Sequence, residues 1–348
     1  MLDLSKGTRL ADRYTLERRL ARGGEAETWL AQDRLTGAAV ALKVVGGGAD
    51  AADRLKREWQ TNIRLMHAHI ARVFEFHDDA GAAFYTQQYI DGPDLSALSG
   101  KPLDQVLAPI GLIADALRYA HSKGVVHRDI KASNILLDRN GAPYLADFGV
   151  SAPVGAQTGG GSAIAQSPQS LAGDAAAPSD DVFALGGLIY ELVSGRSPYS
   201  SADPLADIQG KTPDALRSAD GVPVPVAVQR LVASMLEKDA ALRPSAEQVA
   251  AGLREAGFAP GTAQIEIASH RPLADERLQS AEAIRPASRP AVTTDSLEQS
   301  APPTGVSPRT LGIALGALLL LLLGVVFLLP QTVNTDPEDL SVLQPASP

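Results

Sequence analysis

Short runs in which apolar and polar residues alternate dominate the first 90 residues of the chain. Such runs predict strands over residues 13–20, 28–32, 39–45, 73–77 and 82–89. The turn-forming stretch Asp-Asp-Ala-Gly separates the last two runs and predicts a hairpin. A helical spacing interrupts the strands over residues 54–66, where the apolar face is formed by Leu55, Trp59, Ile63 and Met66.

After residue 103 the apolar spacing becomes helical throughout. Three apolar faces are formed by Leu107, Ile110, Ile113 and Leu117, by Val182, Leu185, Ile189 and Leu192, and by Leu231, Met235 and Leu236. The pattern predicts an α+β domain over residues 10–258. It would consist of a small β-rich lobe over about 10–90 and a larger helical lobe over about 91–258.

Beyond the domain, the amino-acid composition of the chain changes twice. Residues 259–309 are rich in Pro, Ala, Ser and Thr and lack apolar periodicity, which is typical of a disordered linker. Residues 310–329 include a run with no charged side chain, and a helix of that length spans about 30 Å, the thickness of a bilayer core. We therefore expect a transmembrane helix here in preference to a buried core helix, because it has no polar face.

The charges that flank this apolar run predict its orientation. Arg285, Arg289 and Arg309 precede it, whereas residues 330–348 contain acidic residues and no Lys or Arg. The positive-inside rule then places the folded domain in the cytoplasm and the short tail outside. The expected location is a single-pass membrane protein, with the alanine-rich composition favouring a bacterial inner membrane.

Composition narrows the possible functions only a little. The net charge of −9 argues against a general nucleic-acid binder, so no nucleic-acid partner is expected. The chain has no cysteine, which excludes disulfides and thiolate metal sites.

Candidate chemistry is concentrated in two stretches of the second lobe. Residues 126–134 read Val-His-Arg-Asp-Ile-Lys-Ala-Ser-Asn, and residues 146–149 read Ala-Asp-Phe-Gly. Asn134 follows Asp129 by five positions and Asp147 follows it by eighteen. Upstream, Lys43 ends the run Val-Ala-Leu-Lys on a predicted strand, and Glu58 lies on the predicted helix.

This set of motifs, in this order, resembles the signature of protein kinases. Over residues 13–258 the chain is similar to the bacterial serine/threonine kinases of eukaryotic (Hanks) type. The resemblance implies a bilobal protein-kinase fold, ATP with Mg²⁺ or Mn²⁺ as cofactors, and protein substrates. It also implies transfer of the ATP γ-phosphate to Ser or Thr hydroxyls.

The resemblance assigns roles to individual residues. Lys43 would hold the α- and β-phosphates and be oriented by Glu58, and Asn134 and Asp147 would hold the metal. Asp129 would accept the proton of the substrate hydroxyl, and Lys131 would steady the γ-phosphate. Nucleotide contacts would come from Leu20, Gly23, Gly24, Ala41, Lys43, Gln88, Ile90 and Asp94. Asp181 would brace the catalytic loop.

The glycine-rich loop departs from the family pattern. Ala21 and Ala26 stand where the first and third glycines are expected, so a weaker grip on the nucleotide is expected. Glu25 and Glu27 add a second concern, since a carboxylate near the γ-phosphate would repel it and slow the reaction.

The activation segment also departs from the pattern. Ser-Pro-Gln at residues 167–169 replaces the family's Ala/Ser-Pro-Glu, so Gln169 offers Arg243 a hydrogen bond but no charge. A looser segment is expected. Thr158 and Ser162 are the candidate regulatory phosphorylation sites, and Arg128 would pair with such a phosphate.

Three functions remain open at this point. The first is an active serine/threonine kinase, favoured because every catalytic position keeps usable chemistry. The second is a membrane-anchored pseudokinase, which would act as a binding or scaffolding module because its loops are altered. The third is a small-molecule phosphotransferase on a related fold. Dimerisation or clustering in the membrane is a route of activation that the expected anchor allows.

Overall fold

The computed structural model describes residues 4–23, 26–46, 48–79, 82–149, 151–156, 166–200 and 203–259. The predicted helix at 310–329 and the tail at 330–348 lie outside these residues, as does the predicted linker from residue 260 onward. Within the described ranges, no helix is both long and apolar enough to cross a membrane.

Six strands in the first part of the chain form one antiparallel sheet. They are β1 (Arg9–Leu10), β2 (Tyr14–Arg22), β3 (Ala26–Asp33), β4 (Ala39–Val45), β5 (Val73–Asp79) and β6 (Ala82–Gln88). Their order in the sheet is β1-β2-β3-β4-β6-β5, so β4 lies between β3 and β6. The prediction of a β-rich first lobe is confirmed: β4 has the predicted bounds, β3 and β5 are longer than predicted, and β6 is one residue shorter.

The two faces of this sheet bury different sets of side chains. One face, here called the outer face, carries Tyr14, Leu16, Trp29, Ala31, Val40, Leu42, Val44, Ala82 and Phe84. The inner face packs against helix α1 (Ala49–Asn62) through Val45, Ala51, Leu55, Val73, Ala83 and Tyr85. Because side chains alternate along a strand, Val44 points to the outer face and Lys43 to the inner one. Lys43 is thereby turned toward α1.

Helix α1 begins and ends earlier than its apolar spacing predicted. Gly48, at a φ of 95°, precedes its first residue in a backbone conformation that L side chains rarely adopt. The helix ends at Asn62, so Ile63 and Met66 lie beyond it. Met66 is 65% exposed, whereas Leu65 is buried, because the chain turns there and reverses which positions face the core.

The second lobe is helical, as predicted. Its helices are α2 (Leu103–Ser122), α3 (Pro168–Ala172), α4 (Pro178–Ser194), α5 (Pro204–Gly210), α6 (Val226–Met235) and α7 (Ala246–Glu255). Buried residues of α2, α4, α6 and α7 form one large apolar cluster, which also includes Phe148. This cluster supports the loops that carry the candidate chemistry.

Four short strands position those loops on the cluster. They are β7 (Val125–Val126), β8 (Ile135–Leu137), β9 (Pro143–Leu145) and β10 (Ala152–Pro153). The antiparallel pair β8–β9 joins the end of the first motif to the start of the second, and β7 pairs with β10. Residues 127–134 and 146–149 are therefore held side by side.

Candidate active site

Lys43, Glu58 and Asp147 meet in the cleft between the two lobes. The Lys43 Nζ lies 2.8 Å from Glu58 Oε1 and 2.6 Å from Asp147 Oδ1. Three different elements supply these groups: β4, α1 and the loop after β9. In the sequence, Lys43 is 15 positions from Glu58 and 104 positions from Asp147. The fold brings all three within ion-pair distance.

Lys43 and its carboxylate partners stabilise one another in their charged forms. Although burial lowers it, the pKa of Lys43 is raised above its ordinary value by the carboxylates of Glu58 and Asp147. Burial acts to raise the pKa of Asp147, but the Lys43 ammonium outweighs it, and the net direction is downward. At neutral pH the lysine is therefore a cation and Asp147 is an anion.

Gly149 leaves room for this arrangement. A Cβ at position 149 would lie 2.7 Å from Lys43 Nζ and 2.9 Å from Asp147 Oδ1, closer than side-chain carbons come to such atoms. Asp147 itself has a φ of 59°, in the left-handed region that non-glycine residues rarely occupy. Such backbone strain concentrates at functional sites.

The catalytic-loop candidates form a second cluster. Lys131 Nζ lies 2.7 Å from Asp129 Oδ2. The Asn134 amide nitrogen donates to Asp129 Oδ2 at 2.9 Å and to the Asp129 carbonyl at 2.8 Å. Both Asp129 and Asn134 are buried. The loop thus fixes one carboxylate beside a cation, a geometry suited to accepting a proton in a defined place.

The donor set also fits a divalent cation. Because the Asn134 amide nitrogen donates to acceptors of Asp129, its amide oxygen faces away as an acceptor. The Asp147 side chain is 49% exposed toward the cleft. A carboxylate and an amide oxygen are ligands that Mg²⁺ prefers, together with phosphate oxygens.

Asp181 on α4 braces the catalytic loop from below. Its carboxylate accepts the backbone N–H groups of His127 at 2.8 Å and Arg128 at 2.7 Å. It also accepts a bond from His121 Nε2 at 2.8 Å. Burial acts to raise the pKa of Asp181, but these bonds and the nearby histidines lower it below its ordinary value. The buried carboxylate is therefore ionised and fully engaged.

His127 links the two motifs. Its Nδ1 accepts the backbone N–H of Asp129 at 3.2 Å, so its Nε2 carries the proton and donates to the Ala146 carbonyl at 3.1 Å. Its ring lies 4.4 Å, centroid to centroid, from that of Phe148. Arg128, which lies between His127 and Asp129 in the chain, has a φ of 71°, and this left-handed conformation bends the loop.

The residues expected to contact the nucleotide lie on β2, on β4 and in the connection between the lobes. Ala41 is buried on β4, two positions from Lys43 on the inner face, and Leu20 lies half-buried on β2. Gln88 ends β6, and Ile90 is buried just after it. These are positions at which backbone groups can meet a planar base.

Asp94 is held in place by the path of the connecting segment. A Cβ on Gly92 would lie 2.1 Å from the Leu137 carbonyl, so only glycine allows the segment to pass so close to β8. The Asp94 side chain accepts the backbone N–H of Ser96 at 2.9 Å and caps the short helical turn at Leu95–Leu98. Asp94 thus has a structural role, and its expected nucleotide contact stays a prediction.

In the turn between β2 and β3, the direction of the Glu27 side chain differs from what the sequence led us to expect. Glu27 is paired with Val44, on the outer face of the sheet, whereas Thr28 is paired with Lys43 on the inner face. The Glu27 carboxylate accepts the Trp29 indole N–H at 2.9 Å. The expected repulsion between Glu27 and the γ-phosphate is therefore wrong, because β3 directs this side chain away from the cleft.

The remaining described part of that turn is free of backbone strain. None of residues 20–23 and 26–28 has a positive φ, so Ala21 and Ala26 adopt conformations natural to alanine. The Gly23 N–H donates to the Ala26 carbonyl at 2.8 Å and closes the turn. Gly24 and Glu25 lie outside the described residues.

Gln169 and Arg243 do pair, and glutamine contributes more than was expected. The Gln169 amide oxygen accepts from Arg243 at 2.6 Å, while its amide nitrogen donates to the Lys238 carbonyl at 2.8 Å. The guanidinium also donates to the carbonyls of Glu237, Ser179 and Lys238. A glutamate at position 169 could not make the bond to Lys238.

Ser167, two residues before Gln169, anchors the start of α3. It is fully buried, and its hydroxyl donates to Asp180 Oδ1 at 2.6 Å while capping α3. The candidate phosphorylation sites Thr158 and Ser162 lie outside the described residues.

Sequence reasoning missed two residues that contact the site. Tyr85 on β6 donates its hydroxyl to Glu58 Oε1 at 2.6 Å, and His121 on α2 bonds Asp181. Strand alternation could have placed Tyr85 on the face of Lys43 had the register of β4 and β6 been known. No signal within the motifs indicated His121.

A β-rich lobe and a helical lobe that enclose a paired Lys and Glu, a buried Asp and an Asn/Asp pair with oxygens suited to a metal are the arrangement of a protein kinase. Comparison with known families agrees. The protein kinase domain family model matches residues 14–252, and the chain belongs to this family.

Among the most similar curated relatives are three bacterial proteins. The chain is 33% identical over 273 residues to serine/threonine-protein kinase PkaA of Streptomyces coelicolor, covering 70% of this chain and 50% of that protein. It is 32% identical over 262 residues to the DNA damage-responsive serine/threonine-protein kinase RqkA of Deinococcus radiodurans, covering 70% and 39%. Serine/threonine-protein kinase PknA of Mycobacterium tuberculosis is 31% identical over 274 residues, covering 70% and 62%. The chain thus spans less than two thirds of each of these relatives.

Proposed function

We propose that the protein transfers the γ-phosphate of ATP to Ser or Thr hydroxyls of protein substrates. The observation that carries the proposal is the placement of the Asp129 carboxylate, fixed by Lys131 and Asn134, in the same cleft as the Lys43–Asp147 pair. Family membership and the names of the bacterial relatives support the same activity.

Lys43 is the group that would bind the nucleotide phosphates. It reaches the cleft from β4, an interior strand of the sheet, and Glu58 limits the directions that its ammonium can take. Asp147 and Asn134 would hold Mg²⁺ or Mn²⁺, which when bound supplies charge neutralisation for the phosphate oxygens. Positioning of this kind is the main task of an enzyme that transfers phosphoryl groups.

Asp129 would orient the acceptor hydroxyl and take its proton. The Asn134 amide and the Lys131 ammonium both contact Asp129 Oδ2, which fixes the plane of the carboxylate. Lys131 also places a positive charge where charge develops on the transferred group. A lysine at this position resembles the serine/threonine form of the catalytic loop, and this supports Ser and Thr as acceptors.

The test is phosphate transfer by the full-length chain with ATP and Mg²⁺, with the modified residues mapped. Lys43→Met and Asp129→Asn should each lower transfer at least about 100-fold. Lys56→Met on the exposed side of α1 and Asp53→Asn beside it are the matched controls and should retain activity. The mapping also shows whether Thr158 or Ser162 is modified.

The alternatives give different results in the same assay. ATP binding in a thermal-shift titration without any transfer would overturn the proposal in favour of a pseudokinase. Transfer to small hydroxylated compounds but never to protein would instead indicate a small-molecule phosphotransferase.

We further propose that residues 310–329 anchor a cytoplasmic kinase domain, residues 10–258, to a membrane through the linker at 259–309. The uncharged run and the arginines before it support this proposal. Full-length protein should sediment with bacterial membranes, and deletion of residues 310–329 should release it. Equal distribution of both forms in the soluble fraction would contradict the anchor.

A further inference from the structure

Tyr85 occupies a position from which it controls Glu58. It lies on β6, directly opposite Lys43 of β4 and Phe76 of β5, so all three side chains share the inner face of the sheet. Tyr85 is 1% exposed. Its hydroxyl donates to Glu58 Oε1 at 2.6 Å, the same oxygen that accepts Lys43 Nζ at 2.8 Å.

The two donors restrain Glu58 in different ways. Lys43 has a long flexible side chain, and its ammonium is shared with Asp147 at 2.6 Å. The Tyr85 ring is fixed within the inner-face cluster beside Leu55 and Val45, so its hydroxyl has a defined place. Burial, with Glu58 nearby, raises the pKa of Tyr85 well above its ordinary value. The phenol therefore stays protonated and remains a donor.

We propose that Tyr85 is a positioning residue that holds Glu58, and through it helix α1, in the arrangement that orients Lys43. The proposal rests on the function proposed above. Its basis is that Glu58 is bonded from the sheet as well as from the lysine, so its carboxylate does not depend on Lys43 for its orientation. When Lys43 turns toward a nucleotide phosphate, the bond from Tyr85 keeps Glu58 in place.

Tyr14 provides a matched control within the same lobe. It is also a tyrosine of 1% exposure, and its hydroxyl also donates to a carboxylate, Glu75 Oε2, at 3.3 Å. It belongs to the outer-face cluster, away from the cleft. Tyr14→Phe and Tyr85→Phe thus remove the same atom from equally buried rings, but only one of them contacts the candidate site.

The kinetic test compares these two variants in the full-length chain. Tyr85→Phe should lower kcat about tenfold, as expected for loss of a hydrogen bond to a charged group, with a smaller change in KM for ATP. Tyr14→Phe should leave kcat within about twofold of wild type. Equal kcat values for the two variants would overturn the proposal, even if both lower the melting temperature.

A double-mutant cycle tests whether Tyr85 acts through Glu58. In a Glu58→Gln background, the further change Tyr85→Phe should lower kcat by about twofold or less, because the bond that it removes is already weakened. A full tenfold effect in that background would show that Tyr85 acts by another route and would overturn the proposal.

A readout that needs no phosphate transfer separates this inference from the proposed function. The chain has two tryptophans, and Trp59 lies on α1 next to Glu58, with its indole N–H donated to the Phe74 carbonyl at 3.2 Å. In a Trp29→Phe background, Tyr85→Phe should shift Trp59 emission to the red, whereas Tyr14→Phe should not. Unchanged emission overturns the role of Tyr85. Absence of phosphate transfer by the wild type, together with the red shift, overturns only the proposed function.

Discussion

The catalytic loop and the turn between β2 and β3 are fixed to very different degrees. Around residues 127–134, buried side chains restrain the backbone, and two successive N–H groups bond one carboxylate of α4. In the described part of the β2–β3 turn, the chain is closed by the bond from Gly23 to Ala26. The ion pairs of Glu27 with Arg19 and Arg22 are long, at 3.5 and 3.6 Å, and lie near the surface.

The difference reflects what each region has to do. The catalytic loop must hold particular side-chain atoms in place, so its residue types are strictly constrained. In the proposed function the turn would cover the phosphates with backbone N–H groups, and any small residue with an ordinary φ supplies these. Departures from the family pattern in the turn should therefore reduce activity less than departures in the catalytic loop would.

The largest effect is expected from removing the brace below the catalytic loop. Asp181→Ala leaves the N–H groups of His127 and Arg128 buried without their acceptor, which should reduce the free energy of unfolding by about 3–5 kcal/mol. Asp115→Ala is the control, since Asp115 also bonds a histidine but its side chain is 41% exposed, and its loss should cost less than about 1 kcal/mol. Urea unfolding measures both, and similar costs would show that the loop is not specially braced.

The next largest effect is expected from a change at Gly149, and it concerns activity more than stability. Gly149→Ala places a methyl group 2.7 Å from Lys43 Nζ, so the lysine must move, and transfer should fall about 100-fold. Gly187→Ala on α4 meets no atom within 4 Å of the added carbon and should retain activity. A Gly149→Ala enzyme of normal rate would mean that the Lys43–Asp147 contact is dispensable.

A smaller effect tests the support beneath the activation segment. Gln169→Ala removes partners of both Arg243 and Lys238 and should destabilise the protein by about 1–3 kcal/mol. Gln169→Glu gains an ionic pair but loses the donor to the Lys238 carbonyl, and we expect it within about 1 kcal/mol of wild type. A glutamate variant that is much more stable would show that glutamine weakens this anchor, as the sequence alone suggested.

The smallest effect is expected where the turn is returned to the family pattern. Because Ala21 and Ala26 are unstrained, the double change to glycine should lower KM for ATP by about threefold at most and leave kcat unchanged. Steady-state kinetics decide this. A tenfold rise in kcat would break the comparison, since the turn would then limit the chemistry as much as the loop does.

Much of the fold and most of the candidate site follow from the sequence. The resemblance of the motifs to the protein-kinase signature identified Lys43, Glu58, Asp129, Asn134 and Asp147, and a change in apolar spacing identified the two lobes. These features are local, so a single sequence contains them.

Features that depend on register between strands did not follow. The direction of Glu27 and the contact between Tyr85 and Glu58 are set by how β4 pairs with β3 and with β6. The second bond of Gln169 depends on a carbonyl 69 positions away, which no motif specifies.

The bonds to Asp181 have a consequence for hydrogen exchange. The amide protons of His127 and Arg128 are held by a carboxylate of 0% exposure on a helix at the centre of the larger lobe. They can exchange with solvent only when α4 separates from the catalytic loop, which requires the apolar cluster of that lobe to open. These two amides, next to Asp129, should therefore be among the slowest in the chain to exchange deuterium and should report on unfolding of the whole lobe.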